Sequence, residues 1–225
     1  MNSINVFLET GKKKAFVSAI DWPGWCRSGR DEESALQTLI DYGPRYGQVL
    51  EDQRIDFPAP SDPADLAVIE RHEGNSTTDF GAPAIMLDVD REPLDRKDFE
   101  RSERLLSACW ETFDRSVKQA AGQELRKGPR GGGRDLEKII NHVIEGDRAY
   151  LARLAQKHKR ETGFDLSEEL GRTRGAILDA LAVAAAGDLP EKGPRGGAIW
   201  PVRFFIRRVA WHVLDHAWEI EDRIE

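Results

Sequence analysis

Apolar and polar positions change rhythm along this chain. Ile4 to Glu9 and Lys14 to Ile20 alternate or run apolar on either side of Thr10-Gly11-Lys12-Lys13, which predicts a β-hairpin. Trp22-Pro23-Gly24-Trp25-Cys26-Arg27-Ser28-Gly29 is punctuated by Pro and Gly and predicts a turn entering a short strand. From Asp31 to Glu51 the apolar set Ala35, Leu36, Leu39, Ile40, Tyr46 and Val49 takes helical spacing. Pro44 inside that stretch predicts a kink or a division. Leu66 to Glu70 predicts another strand, so residues 1–75 form a small ββ(β)αβ domain.

Gly74 to Pro93 is turn-rich and lacks periodicity, which predicts a connecting segment over 76–94, with Phe80 packed against one domain. From Asp95 the pattern is helical to the end. Asp95 can cap a helix carrying Phe99, Leu106, Cys109, Trp110, Phe113 and Val117 and ending at Gly122. A second helix is predicted from about Asp135 to Lys157, burying Leu136, Ile139, Ile140, Val143, Tyr150 and Leu154. A third starts near Asp165 or Ser167 and runs to Gly187, and a fourth opens at Trp200-Pro201. Four amphipathic helices joined by polar loops predict a four-helix bundle over 95–225. The fold class expected is therefore α+β.

The last helix carries the most informative chemistry. Phe205, Val209, His212, His216 and Ile220 share one helical face, so His212 and His216 stack one turn apart on the side facing a core. Buried imidazoles need a hydrogen-bond partner or a metal. Two histidines from one helix with a third ligand from a neighbour are a common way to hold a divalent ion and leave a position open. His142, at the border of the second helix's apolar stripe with Gly146 leaving space one turn on, is the best third ligand. His72 and His158, flanked by charged residues, are expected to be solvated. Glu145, three residues after His142, is expected as a fourth ligand, a supporting partner or a catalytic base, and Glu219 can orient His216. Trp110, Trp211 and Trp218 read first as core and alternatively as pocket lining.

Composition narrows the partners. A formal charge of −7 opposes a nucleic-acid surface built on bulk charge. Cys26 and Cys109 form no C-x-x-C pair, no apolar run approaches a membrane span, and the first residues lack a secretory pattern, so a cytoplasmic protein is expected. Lys127-Gly128-Pro129-Arg130-Gly131-Gly132 recurs as Lys192-Gly193-Pro194-Arg195-Gly196-Gly197. Each copy precedes a helix bearing candidate ligands. Each reads as a flexible polar loop or, alternatively, as a backbone-and-Arg cradle for an anion.

Two resemblances sharpen these expectations. The hairpin, Asp21-Trp22-Pro23-Gly24-Trp25-Cys26 with Ser28-Gly29, and the helix opened by Asp31-Glu32-Glu33-Ser34-Ala35-Leu36 resemble the HicB-like fold over about residues 1–55, which implies a partner-binding unit. No helix-turn-helix or ribbon follows it, so nucleic acid is not an expected partner. Residues 95–225, with His142 in Asn141-His142-Val143-Ile144-Glu145 and the His212-x-x-x-His216 pair, resemble the DinB-like four-helix bundles. That resemblance implies a divalent metal, zinc or nickel, held by His142, His212 and His216, and chemistry of the hydrolase or low-molecular-weight thiol transferase kind. Three neutral imidazoles leave such an ion its full charge, which acidifies a water or a thiol, and the sequence leaves both open. The small-molecule substrate is not identified, and a homodimer is allowed. The alternative is a non-catalytic binding or regulatory module that uses the HicB-like domain for partner contact.

Overall fold

The computed structural model describes residues 3–127, 133–193 and 196–224. The chain is α+β and divides into two units, Met1–Leu87 and Asp88–Glu225, each with its own core.

In the first unit the predicted hairpin forms as β1 (Ile4–Thr10) and β2 (Ala15–Ala19), paired antiparallel and closed by Gly11 N–H donating to Lys14 O at 2.8 Å. β3 (Cys26–Gly29) adds to β2, and β4 (Leu66–Glu73) lies parallel to β1, giving the order β3-β2-β1-β4. The parallel pairing requires a crossover, which α1 (Glu32–Asp41) and α2 (Gly43–Glu51) supply. Asp31 caps α1, and the division falls beside Pro44, which stands in the first turn of α2 where its missing N–H is harmless. The register slips between Val6 and Phe7, leaving Ile69 as an extra residue of β4, half exposed on the edge strand. The core is aromatic. Trp25 is fully buried, stacks on Tyr46 and donates its indole N–H to Leu39 O at 3.0 Å, while the Tyr46 hydroxyl donates to Pro23 O at 2.8 Å. The Trp22–Trp25 turn is thus tied to both helices.

Residues 76–94 do not form the expected connector. α3 (Ser76–Phe80) and the run to Leu87 belong to the first unit, and Asp88 onward to the second. The reason is Glu9, a fully buried carboxylate on β1 that accepts from the Thr78 hydroxyl and from the backbone N–H of Ala84 and Ile85. Charge-assisted bonds of this kind fix a loop that shows no periodicity. Thr78, Ala82 and Leu87 are buried in the run to Leu87; Phe80, expected to pack, is 91% exposed.

The second unit is built from α4 (Arg96–Ala120), α5 (Leu136–Leu151), α6 (Leu166–Ala185) and α7 (Val202–Glu221). Asp95, Asp135 and Asp165 cap the first three, each accepting a backbone N–H three residues on. α4 packs on α7, α7 on α5, α5 on α6, and α6 back on α4. α5 is shorter than predicted. It ends at Leu151, passes into a 3-10 turn (Ala152–Leu154) and stops where Ala155 takes a left-handed φ of 59°. Leu136 and Tyr150, expected in the core, are only partly buried. Arg207 of α7 pairs with both oxygens of buried Asp90, anchoring the residues that enter the unit. Asp147 of α5 is fully buried, and neither of its oxygens has a hydrogen-bond partner among the described residues. Burial pushes its pKa up to about 7, against the pull of the Arg174 cation. Of the repeated loops, Gly128–Gly132 and Pro194–Arg195 lie outside the described residues.

Candidate metal centre

The α5 and α7 helices deliver the three predicted imidazoles to one place. One ligand-capable atom from each of His142, His212 and His216 lies within 4.8 Å of the others. The ring centroids are 5.1, 4.8 and 4.9 Å apart, and the Nε2 atoms of His142 and His212 approach to 3.3 Å. His212 and His216 are buried, as their place on the apolar face of α7 requires. The three side chains are close enough to bind one metal ion.

Gly146 makes the convergence possible. It lies on α5 one turn after His142, and a Cβ there would sit 2.4 Å from His212 Cε1. The His212 ring occupies the space that a side chain would fill.

Burial keeps two of the three rings, His142 and His212, uncharged. Burial, then the neighbouring His216 and Arg134 charges, lower the His142 pKa to about 4, with Glu219 opposing. Burial drives His212 well below the usual histidine range, helped by His216 and His142. Both rings are neutral at neutral pH, the form a metal requires. His212 Nδ1 is buried with no hydrogen-bond partner among the described residues, an orphaned polar atom of the kind that a bound ion or water explains. On this donor set and burial, the residues fit a divalent ion.

Glu219 completes the support. Its carboxylate accepts from His216 Nδ1 at 2.8 Å, leaving His216 Nε2 for the shared point, and is itself held by Arg223 Nη1 at 2.8 Å. The His216 hydrogen bond is the main reason its pKa lies below the usual carboxylate range. A carboxylate behind a histidine fixes the ring's tautomer and orientation.

Glu145 is not brought to this group. It is more than half exposed and pairs with Arg148 at 2.6 Å. Three residues along a helix leave a side chain about 60° off the starting face, and here that turn carries the carboxylate into solvent. His158 also differs from expectation, since its ring is 12% exposed and Nε2 lies 3.7 Å from Oε1 of the buried Glu169. His72 is partly exposed and pairs with Glu70 at 2.8 Å. Trp110 and Trp218 are core. Tyr150, read from the sequence as core, instead sets its ring edge-on to His212 at 5.5 Å, with Arg208 Nε donating to its hydroxyl at 3.3 Å. The 3.6-residue spacing from Gly146 was the one available signal for it.

No helix among the described residues is long and apolar enough to cross a membrane. Comparison of the chain with protein-family models, with curated proteins and with solved structures finds no match.

Proposed function

We propose that the second unit is a DinB-like four-helix bundle and a divalent-metal-dependent enzyme acting on a small molecule, as a hydrolase or a low-molecular-weight thiol S-transferase. The observation carrying this reading is the convergence of His142, His212 and His216 on one point, with His142 and His212 neutral and His212 and His216 buried. These three residues would hold the ion, zinc or nickel as the DinB-like resemblance implies, both being metals that imidazole donors accept. When bound, the ion supplies Lewis acidity toward an oxygen or sulfur donor.

The chain's own residues do the rest. Glu219 holds His216 in one tautomer, and Arg223 holds Glu219 ionised. Tyr150, with its hydroxyl held by Arg208 and its ring edge-on to His212, is placed to act as a proton donor, whereas Glu145, which the sequence offered as ligand, supporting partner or base, faces solvent. Trp200, set against Tyr150 at 5.5 Å, keeps water from that side. Metal analysis of the purified full chain tests the reading. One equivalent of zinc or nickel is expected, lost in His142→Ala/His212→Ala/His216→Ala; a wild-type chain that binds no divalent ion after loading would overturn it.

A second reading concerns the first unit, which we propose to be HicB-like and to contact a partner. Exposed Ile69 on the edge strand β4 and exposed Phe80 favour it. Ile69→Lys/Phe80→Ser should abolish co-purification of any partner without changing metal content. A chain that sediments as a lone monomer from its native source would sink this second reading.

A further inference from the structure

The second unit also contains a cleft of about 590 Å³ lined by Arg148, Arg153, Lys157, His158 and Lys159 and by Gly193 and Gly197 of the second repeated loop. That volume is within the usual range for small-molecule sites. Among the described residues no aspartate or glutamate lines it, although the chain as a whole carries a formal charge of −7. Arg148 is shared with Glu145, whereas Arg153, Lys157 and Lys159 have no carboxylate partner among the described residues. Arg153, Lys157 and Lys159, exposed around one cleft, repel each other and raise a positive potential at its mouth. An anion relieves that repulsion, and guanidinium with ammonium groups is the donor set for phosphate or carboxylate oxygens.

A chain of packed rings links the cleft to the histidines. Arg153 lies over the Trp200 ring at 5.6 Å, Trp200 against Tyr150 at 5.5 Å, and Tyr150 against His212 at 5.5 Å. Along α5, seven residues from His142 to Ala149 rise on the order of 10 Å, the length of a small metabolite. A nucleic acid fits less well, because the acidic remainder of the chain repels a long polyanion and the recess presents no aromatic platform for bases.

We propose that this cleft binds the phosphate- or carboxylate-bearing end of the substrate whose reacting end lies at His142, His212 and His216. Anion binding stands by itself, and the assignment of that anion to a substrate rests on the metal-enzyme reading.

Calorimetric titration of the full, metal-free chain tests it, with pyrophosphate, citrate and a single-stranded oligonucleotide as probes. One-to-one binding of pyrophosphate or citrate that weakens with added salt is expected, the tighter of the two naming the anionic group. Lys157→Glu/Lys159→Glu should weaken it by about tenfold or more while leaving metal content unchanged. His212→Ala/His216→Ala should lose the metal and keep the anion. If neither small anion saturates, if the charge reversal leaves affinity unaltered, or if the oligonucleotide binds more tightly than both, the anion site is refuted. Anion binding by a chain that takes up no metal would retain the cleft and refute its assignment to a metal enzyme's substrate.

Discussion

His212 of α7 sits where a side chain of Gly146 on α5 would be, its Cε1 atom 2.4 Å from the position of the missing Cβ. Gly146→Ala therefore sets two effects against each other. Alanine in a helix interior is favoured over glycine by about 1 kcal/mol. The methyl group nevertheless cannot fit until the ring moves by the better part of an ångström. The helix should form as before while His212 leaves the shared point. Metal affinity should fall by about tenfold or more, measured by competition with a chromophoric chelator, with the circular dichroism unchanged.

Glu219 accepts from His216 and touches no other histidine ring nitrogen among the described hydrogen bonds. Glu219→Gln keeps the shape but removes the charge that favours the His216 Nδ1–H tautomer. Loss of about 10- to 100-fold in metal affinity is expected, with a smaller loss for Arg223→Ala, which releases Glu219 without neutralising it. Equal affinity for Glu219→Gln and the wild type would show that Glu219 is not the supporting carboxylate.

Glu145 gives the matching control. Its carboxylate faces solvent and Arg148, so Glu145→Ala should leave metal affinity within about twofold of wild type. A large loss would place Glu145 in the ligand set after all.

Asp147 ties stability to pH. Its folded pKa is raised to about 7 by burial, above the ordinary carboxylate value of 3.8. Between those values the folded state holds a proton that the unfolded state has released. Stability from this group is therefore present at low pH, falls as pH rises through that window, and is fully lost above about 7. Asp147→Asn, which cannot ionise, should be more stable than wild type at pH 8 by roughly 1–3 kcal/mol, and the difference should vanish near pH 4. Urea unfolding at several pH values measures it. A gap that does not change with pH would mean the buried carboxyl is not titrating.

The Arg207–Asp90 pair predicts an asymmetry. Removing one partner strands a buried charge, so Asp90→Ala should destabilise the chain by roughly 3–5 kcal/mol. Replacing both with apolar residues of similar volume should cost far less. Denaturant midpoints of the single and double variants decide between a pair that holds the fold and one that is merely tolerated in it.

What was legible in the sequence followed from local periodicity. Spacing of 3.6 placed His212 and His216 on one buried face, Asp95, Asp135 and Asp165 marked three helix starts, and Pro44 marked the break between α1 and α2. These are short-range effects, written into neighbours within a turn or two. Long-range partners carry no such period. Glu9 draws residues 78–85 into the first unit across some seventy positions, and Lys157 and Lys159 hid a His158 that the fold encloses. α5 gives way to a 3-10 turn after Leu151 and the chain turns left-handed at Ala155, although the apolar stripe itself runs on to Leu154. The sequence by itself determined which faces must be buried and which residue types they carry. Glu219 behind His216 is a three-residue step within α7 that the sequence already offered; only the tertiary structure decided that His142 of α5 meets the α7 pair while Glu145 turns to solvent, because that depends on how two helices are rotated about their axes when their cores meet.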